Sequence, residues 1–587
     1  QSFLAASLSL SNLLFWHESG YFQPDSAIMP LLHTWSLAIE EQFYLALPLL
    51  LWIIWRGDRQ RGYRDQEVVF SRRRRRALMV CIVVWGISLA TCEWSWRYAP
   101  SFNYYSPFTR AWELLTGVVV ALWRADSSVD QRSKMTNPVV SALLSVVGLS
   151  AILLSILASP HLAPHPSVYT LIPVLGVALT IHCTRVDHSV SRLLSRPILV
   201  WLGLISYSAY LWHQPLLALA RIDRYGIPLE LSHRVGLIGF ALLLAALCKR
   251  FIEDPIRFSL LLKERPRLTI IYSMSGVALF SLLGIFGHLS GGLPQRGDPS
   301  VYLVEKAGTP TVVPCSYHQF YRCQLGDQSI NPQVALVGDS HAGMYSALFD
   351  RRFRDHQAAV MYAGDGWCAP LLDFITDDRS KNGPRCAKEM SSALRAIAQN
   401  TNIHTVILAA EWSHYLWGER PGQTPSLHQR SVYRFTGREL EGSQPILSLE
   451  ATSALNAIAF KRSLEATISL YTATGKSVII IEPVPELSYH VPQALASSAF
   501  RRLPPPPMIS KLEYQAQNQA FFMILNELTS LDFERWSVAE SLCDVERGQS
   551  RCRLHDENSL PLYSDSNHLT ERGATIAIES YLKIYLQ

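Results

Sequence analysis

The sequence predicts a polytopic α-helical membrane domain followed by a soluble domain of α/β/α architecture. Long apolar runs recur through the first half of the chain, and charges there are confined to short patches between them. The second half has the composition of an ordinary soluble protein. Within it, short apolar strand-like runs alternate with helix-like runs, which is the pattern of a parallel sheet covered on both faces.

The length and the net charge of the chain limit how many domains and what kind of partner we expect. Its 587 residues exceed the usual size of one domain. We expect a membrane domain over 1–288, a linker rich in Gly and Pro over 289–330, and a soluble domain over 331–587. A formal net charge of +5 is too small for this length to indicate nucleic acid as a partner. No signal peptide precedes the first apolar run, so we expect the natural protein to begin upstream of Gln1.

Several apolar runs are close to the length that crosses the hydrocarbon core of a bilayer. Basic residues are enriched in cytoplasmic loops, and the loop after the first full span contains the run Arg72 to Arg76. Alternation from that loop places everything after Leu289 outside the cytoplasm. The predicted spans are 36–55, 77–95, 108–124, 138–158, 168–184, 197–220, 234–250 and 268–288, and the run at 3–16 is interpreted as the tail of an earlier span.

Ionisable side chains within the spans need a physical reason, because a charge in hydrocarbon costs at least ~2.5 kcal/mol. Arg110 and Glu113 are three residues apart and share a helix face. We predict a polar site inside the helical bundle, and interfacial anchoring for Trp35, Tyr44 and Trp212. The candidate residues of the polar site are His33, Glu40, Glu41, Arg110, Glu113, Tyr207 and His213.

The ten cysteines differ between the two halves. Near-neighbour pairs in the second half indicate disulfides in an oxidising compartment. Unpaired thiols are the alternative, because sequence alone does not fix connectivity. There is no CxxC motif, so we expect no metal or redox site. The expected disulfides are Cys315–Cys323, Cys368–Cys386 and Cys543–Cys552, whereas Cys81, Cys92, Cys183 and Cys248 lie in or beside apolar runs.

The segment VALVGDSHAGMY, from Val334 to Tyr345, is typical of a strand, a sharp turn and the start of a helix. Active residues of parallel sheets lie at the carboxyl ends of strands, and Ser340 has this position. Alone, the turn is compatible with a nucleophile or with a simple helix cap. Strands are predicted at 334–339, 359–364, 405–410 and 477–482, and helices at about 386–400, 450–474, 511–530 and 571–586.

A second segment, LYSDSNHLTERGA, lies just before the last predicted helix. Asp565 and His568 are three residues apart in it. A nucleophilic serine needs a base, and the base needs an orienting carboxylate. One loop supplies both if it folds back beside Ser340, and this favours catalysis over a cap.

Four segments of the membrane domain, LLHTWSLAIEEQFY, TRAWELLTG, ISYSAYLWHQPLL and FIEDPIR, carry a resemblance to a known family. In order and spacing they resemble the acyltransferase-3 family, and more narrowly the bacterial O-antigen and polysaccharide O-acetylases. The resemblance implies a membrane enzyme that takes an acyl group from a cytoplasmic thioester, usually acetyl-CoA, and delivers it outside. Members open with helices that carry a catalytic His and donor-binding Arg residues. Those helices precede the segment that is Ser11 to Trp16 here, so we assign no donor-site base and expect a fragment or a truncated protein.

The early GDSH and the late DxxH resemble the SGNH hydrolase family, which has a flavodoxin-like sheet and is named for its Ser, Gly, Asn and His blocks. Carried over, Ser340 is the nucleophile, His568 the general base and Asp565 the residue that orients it. The oxyanion donors implied are the Ser340 backbone N–H and a glycine of AGDGWCAP, with Gly366 as the choice and Gly364 as the alternate.

The third block departs from the family pattern, because LAAEWSHY contains no Asn. Trp412 occupies the region and offers a single N–H donor. This departure, with VPELSYHVP and the cysteine pairs, resembles SGNH domains that are fused to acyltransferase-3 membrane domains. His341 follows the nucleophile directly, is poorly placed as its base, and is expected at the surface or at the helix start.

The expected function is O-acyl transfer, of acetyl in the first instance, to a cell-surface or lipopolysaccharide glycan through a serine acyl-enzyme. The expected partners are the lipid bilayer and the glycan, acetyl-CoA is the expected donor substrate, and no bound cofactor is expected. One alternative is an esterase that removes acetyl groups from such glycans. Another is a membrane transporter with an outer glycan-binding domain, whose polar residues would line a substrate path. The sequence leaves the oligomeric state open.

Overall fold

The chain forms two compact units, one within Gln1–Arg221 and Pro228–Leu293, the other within Ile222–Ile227 and Pro294–Gln587. The computed structural model describes residues 1–18, 28–56, 66–124, 137–162, 165–184, 188–225, 227, 229–292, 299–311, 321–366, 368–377, 382–417, 432–435, 449–546 and 549–586.

The described part of the first unit is built of helices. Leu, Ile, Val and Ala dominate the long helices. A helix with apolar residues on all sides is typical of apolar surroundings such as a membrane. The α-helices are Ser2–Ser7, Ser11–His17, Thr34–Arg56, Gln66–Tyr98, Pro100–Tyr105, Pro107–Arg124, Pro138–Leu162, Leu171–Cys183, Ser189–Leu194, Pro197–Asp223, Leu231–Cys248, Asp254–Arg257, Leu260–Glu264 and Pro266–Leu289, with a π-helical segment at Lys249–Glu253.

Five of these helical stretches are long and apolar enough to cross a membrane by length and composition, namely Thr34–Arg56, Phe70–Tyr98, Pro138–Leu157, Leu231–Glu264 and Pro266–Leu289. Helices also occupy the other three predicted spans, but they are shorter or carry more polar side chains.

Large apolar side chains are exposed over this unit. Leu157, Leu231 and Leu289 are each at least 75% exposed. Such a surface would be costly in water, whereas it matches the hydrocarbon of a bilayer. The unit therefore has the make-up of a multi-pass membrane domain.

The second unit contains a mixed six-stranded sheet in the order β1-β3-β2-β5-β7-β8. The central strands are buried, and apolar clusters cover both faces of the sheet. Strands β2, β3, β5, β7 and β8 run parallel, and β1 pairs antiparallel with β3 at the edge. The strands of this sheet are β1 (Tyr321–Gly326), β2 (Val334–Gly338), β3 (Ala359–Gly364), β5 (Thr405–Ala409), β7 (Ser477–Ile481) and β8 (Glu534–Trp536).

Two antiparallel strand pairs and a set of helices complete the second unit. The pairs are β4 (Phe374–Asp377) with β6 (Val432–Phe435), and β9 (Cys543–Glu546) with β10 (Gln549–Cys552). The helices are Pro299–Ala307, Ser340–Gly343, Ser346–Asp355, Asn382–Gln399, Trp412–Trp417, Leu449–Thr472, Val491–Arg501, Lys511–Gln517, Gln519–Glu527, Val538–Leu542 and Glu571–Leu586.

The sheet differs from the prediction in one respect. The segment predicted as part of the linker contains β1, which makes the sheet mixed rather than wholly parallel. Its sequence, YRCQLG, is half polar because an edge strand needs no continuous apolar run. The helix predicted at 511–530 is two helices that meet at Asn518.

Gly338, the last residue of β2, is required by a close approach of backbone. A Cβ atom there would overlap the Ala409 carbonyl oxygen at the end of β5 and crowd the Ala342 side chain. Because glycine has no Cβ atom, the end of β2 can lie close to the end of β5. The chain can then turn directly into the helix that starts at Ser340.

Candidate active site

Ser340 follows the end of β2 and begins a four-residue helix. Asp339 caps this helix, since its Oδ1 accepts a 2.8 Å hydrogen bond from the His341 backbone N–H. Its Oδ2 accepts from the Glu411 backbone N–H at 3.0 Å and from the Tyr415 hydroxyl at 2.9 Å. Asp339 is fully buried, and burial raises its pKa to about 6. These hydrogen bonds fix the turn that presents the Ser340 side chain.

His568 lies between Ser340 and Asp565. Its Nε2 is 2.8 Å from Ser340 Oγ, and its Nδ1 is 2.7 Å from Asp565 Oδ2. The other carboxylate oxygen of Asp565 accepts from the backbone N–H groups of Asn567 at 2.8 Å and His568 at 2.7 Å. The structure thus brings together the serine, histidine and aspartate that the sequence singles out.

The protonation of this set follows from its contacts. Burial alone would raise the pKa of Asp565, but the His568 ring and the hydrogen bonds from Asn567 and His568 hold it well below its usual range. An ionised carboxylate only accepts hydrogen bonds. Nδ1 of His568 therefore carries a proton, and Nε2 presents its lone pair to the Ser340 hydroxyl. This arrangement can remove the hydroxyl proton as Oγ attacks a carbonyl carbon.

The loop that carries Asp565 and His568 is tied to the segment after β7. The Asp565 carbonyl accepts a hydrogen bond from the Val491 N–H at 3.1 Å, and the Ser566 carbonyl accepts from the Leu487 N–H at 2.9 Å. Both donors belong to the segment VPELSYHV. Backbone hydrogen bonds therefore hold the base close to the nucleophile in a domain where the two lie far apart in sequence.

The two glycines predicted as oxyanion donors have different surroundings. Gly366 is exposed in the turn after β3, and its N–H donates to the Asp365 carboxylate. Gly364 is the last residue of β3 and pairs with Gly338 in the sheet. Gly364 and the Ser340 N–H stay predicted oxyanion donors, whereas the Gly366 N–H already has an acceptor in the Asp365 carboxylate.

Trp412 does not fill the place of the missing Asn, so its prediction as an oxyanion donor is wrong. Its side chain is fully buried and stacks on Phe521 with ring centroids 5.4 Å apart. The indole N–H, its single donor, bonds the Ile481 carbonyl oxygen at 2.8 Å. Trp412 thus joins the end of β7 to the core, and its side chain has no donor left for a substrate.

Three neighbours of the triad differ from the sequence-based prediction or have no signal in the sequence. His341, expected at the surface or the helix start, begins the helix but is buried, with its ring centroid 4.7 Å from that of His568. Glu411 and Asn567 are also buried, and Asn567 Nδ2 donates to Glu411 Oε1 at 3.0 Å. The alternation of buried and exposed residues gives no signal for such a contact, because its partners are 156 residues apart.

Two of the expected disulfides, Cys368–Cys386 and Cys543–Cys552, are present. Cys323 is also disulfide-bonded, and its expected partner Cys315 lies outside the described residues. Cys81, Cys92, Cys183 and Cys248 are free thiols. Across the described residues, no group of His, Cys, Asp and Glu could hold a metal ion.

The membrane unit contains a polar cluster of its own around Arg110. The Arg110 guanidinium lies 4.7 Å from the centre of the Trp35 ring and 5.1 Å from that of Tyr104. It pairs with Glu113 at 3.4 Å. Stacking on aromatic rings and pairing with a carboxylate are the ways in which a cation is accommodated inside a bundle. Trp35, expected as an interfacial anchor, therefore belongs to this cluster.

A second group of rings includes His33, which lies two residues before Trp35 in sequence. The rings of His33 and His213 are 5.4 Å apart, and both pack against Tyr210. The Tyr210 hydroxyl donates to the His33 carbonyl at 2.6 Å. Glu40 is partly buried, but Glu41 and Tyr207 are exposed. The last two residues therefore do not join the buried part of the polar site.

The fold and the site define a class: a multi-pass membrane protein that carries an α/β domain with a hydrogen-bonded serine, histidine and aspartate. Residues 3–250 match the family described as acyltransferase domain, and residues 311–583 match the SGNH domain that is fused to such domains. The chain belongs to this family of fused acyltransferase and SGNH proteins, which confirms the family predicted from the sequence motifs.

Relatives with this similarity come from several bacteria. The peptidoglycan O-acetyltransferase OatA of Listeria monocytogenes is 29% identical over 269 residues, which are 43% of this chain and 40% of the relative. The putative peptidoglycan O-acetyltransferase YrhL of Bacillus subtilis is 29% identical over 310 residues, 50% of this chain and 47% of the relative. The chain thus spans less than half the length of these relatives.

One solved structure also aligns with part of the chain, the periplasmic domain of a lipopolysaccharide acetyltransferase from Salmonella ser. Paratyphi A. The sequence identity is 16% and the TM-score is 0.30, with 44% of this chain and 85% of that chain covered.

Proposed function

We propose that the protein transfers an O-acyl group, most simply acetyl, to a hydroxyl of a cell-surface or lipopolysaccharide glycan, with Ser340 as the acyl carrier. The observation that carries this proposal is the path Ser340 Oγ to His568 Nε2 at 2.8 Å and His568 Nδ1 to Asp565 Oδ2 at 2.7 Å. It lies in an SGNH domain that follows an acyltransferase membrane domain in the same chain.

The first half-reaction loads the serine. As Ser340 Oγ attacks the carbonyl carbon of the incoming acyl group, its proton passes to His568 Nε2. The tetrahedral intermediate collapses, the bond to the leaving group breaks, and His568 returns the proton to that leaving group. An acyl ester on Ser340 remains. Asp565 stays ionised throughout and stabilises the imidazolium that forms.

The second half-reaction unloads the serine onto the glycan. A sugar hydroxyl gives its proton to His568 Nε2 while its oxygen attacks the ester carbonyl. The bond to Ser340 Oγ then breaks, and Oγ takes the proton back from His568. The sum is acyl transfer from donor to sugar with no net change in the protein. Water in place of the sugar would give hydrolysis by the same groups.

The order of the two domains along the chain supports a transfer from inside to outside. The donor would be a cytoplasmic thioester, acetyl-CoA, and the membrane domain would carry the acyl group across. Disulfides such as Cys368–Cys386 form and persist in oxidising compartments. They support an outer, periplasmic position of the SGNH domain, where glycan acceptors lie. Two relatives are named as a peptidoglycan O-acetyltransferase and a putative one, and these names support a glycan of the cell envelope as acceptor.

A serine-directed fluorophosphonate tests the proposal at its centre. The full chain in detergent should be labelled at Ser340, and the variants Ser340→Ala and His568→Ala should not be. A chain that remains unlabelled at Ser340 would favour a transporter with a glycan-binding domain. Released acetate from an acetylated glycan, without transfer to an added sugar, would instead favour the esterase, which uses the same triad.

A further inference from the structure

The turn that carries Ser340 and the loop that carries His568 are joined by a hydrogen-bonded path that does not pass through the triad itself. Asn567 Nδ2 donates to Glu411 Oε1 at 3.0 Å. The Glu411 backbone N–H donates to Asp339 Oδ2 at 3.0 Å, and Asp339 immediately precedes Ser340. Glu411 thus touches the residue beside the base through its side chain and the residue beside the nucleophile through its backbone.

The members of this path are buried. Glu411 is 3% exposed and Asn567 1% exposed, so water competes poorly for their hydrogen bonds. The donor is the amide nitrogen and the acceptor is a carboxylate, which is the strong direction for such a pair. A buried hydrogen bond of this kind is costly to break when one partner is left without a replacement.

Glu411 is itself held in place by its neighbours along the chain. Trp412 is fixed by the bond from its indole N–H to the Ile481 carbonyl, and Tyr415 by the bond from its hydroxyl to Asp339. Glu411 therefore extends from a rigid support at the end of β5. It occupies the third block, in which the sequence has no Asn.

We propose that Glu411 is a positioning residue, which holds the Asn567–His568 segment against the nucleophile turn and thereby keeps His568 Nε2 within hydrogen-bonding distance of Ser340 Oγ. Glu411 acts on His568 through Asn567. The inference rests on the proposed function, because it concerns how the Ser340 and His568 pair is kept ready to react.

The test exchanges the donor and the acceptor of the Asn567–Glu411 hydrogen bond. Glu411→Gln keeps a carbonyl oxygen for Asn567, so the rate of fluorophosphonate labelling of Ser340 should stay within about threefold of the wild type. Asn567→Asp sets two carboxylates against each other, and labelling should slow by about tenfold or more. The double variant Glu411→Gln/Asn567→Asp restores the bond in the opposite direction, and the rate should recover to within about threefold of the wild type.

The full chain in detergent is used for all four proteins, and the unfolding temperature is measured alongside. Recovery in the double variant supports the inference. A double variant no faster than Asn567→Asp, or an Asn567→Asp protein as fast as the wild type, would overturn it. If Asn567→Asp does not fold, Glu411→Leu replaces it, and unchanged labelling in a folded Glu411→Leu protein would likewise overturn the inference. A wild-type protein that is not labelled at Ser340 would count against the proposed function itself.

Discussion

At the residue scale, the chemistry of the site depends on the unequal partners of His568. On one side is a carboxylate that accepts three hydrogen bonds, and on the other a serine hydroxyl. Each hydrogen bond to the carboxylate favours its ionised form. That charge fixes the tautomer of the ring, which is why Nε2 rather than Nδ1 faces Ser340.

Asp565→Asn should therefore slow labelling of Ser340 by about 10⁴-fold, because an amide in place of the carboxylate favours the wrong tautomer of His568. The matched control is Asp556→Asn, which changes a carboxylate that pairs with Arg572 and accepts hydrogen bonds from the Asn558 and Leu560 N–H groups. Its labelling rate should stay within about threefold of the wild type. Equal loss in both variants would show that the effect of Asp565 comes from loop structure alone.

A pH dependence follows from Asp339, whose pKa burial raises to about 6. The unfolded value is about 3.9, so the folded state binds this proton more tightly. The tighter binding of this proton stabilises the folded state fully below about pH 4, and the stabilisation is lost as the pH rises through about 6. The free energy of unfolding therefore changes by about 3 kcal/mol between these limits. The unfolding temperature should thus rise as the pH falls from 7.5 to 5. A smaller rise is expected in Asp339→Asn, and an identical rise in both proteins would contradict the assignment.

Some of these residues could be found from the sequence and others could not. Ser340, Asp565 and His568 stand in short motifs whose spacing has a chemical reason. Glu411 and Asn567 stand in no such pattern, because their relation arises only when β5 and the last loop meet. The prediction of Trp412 as an oxyanion donor is wrong because the sequence shows only that an indole N–H exists. It does not show that this N–H donates to a carbonyl oxygen at the end of β7.

At the element scale, the parallel strands could be read from the sequence because burial on both faces requires continuous apolar runs. The observed ends of β2, β3, β5 and β7 lie within one residue of the predicted ends. The edge strand β1 and the short strand β8 could not be read in this way, since an edge needs apolar residues on fewer sides. Their hydrogen bonds to the sheet depend on chain segments that are distant in sequence.

The end of β2 gives a matched pair of glycine substitutions. Gly338→Ala should destabilise the soluble domain by about 3 kcal/mol or more and abolish labelling, because the new methyl group meets the Ala409 carbonyl and the Ala342 side chain. Gly366→Ala meets no atom within 4 Å and should change stability by less than about 0.5 kcal/mol. The measurement is the unfolding temperature with the labelling rate. A stable, reactive Gly338→Ala protein would contradict the close approach of β2 and β5.

At the scale of the whole molecule, two kinds of surface imply two kinds of surroundings. The helical unit exposes apolar side chains along its long helices, whereas the SGNH unit is stapled by disulfides. The first fits hydrocarbon and the second fits an oxidising aqueous compartment. The positive run Arg72 to Arg76 would then face the cytoplasm.

This topology predicts the accessibility of thiols from each side of the membrane. In right-side-out membrane vesicles, an impermeant maleimide should label a cysteine introduced by Leu512→Cys, because Leu512 is 75% exposed on the SGNH domain. A cysteine introduced by Arg75→Cys should react only after the vesicles are opened. The reverse pattern would place the SGNH domain in the cytoplasm and would contradict a transfer from inside to outside.

The most direct test of the central claim is the O-acetyl content of surface polysaccharide. Three cell populations are compared: one with the natural protein, one with its Ser340→Ala variant, and one with neither. O-acetyl groups are expected only where Ser340 is intact. Acetylation that is equal in all three, or lowest where Ser340 is intact, would contradict transfer through this serine.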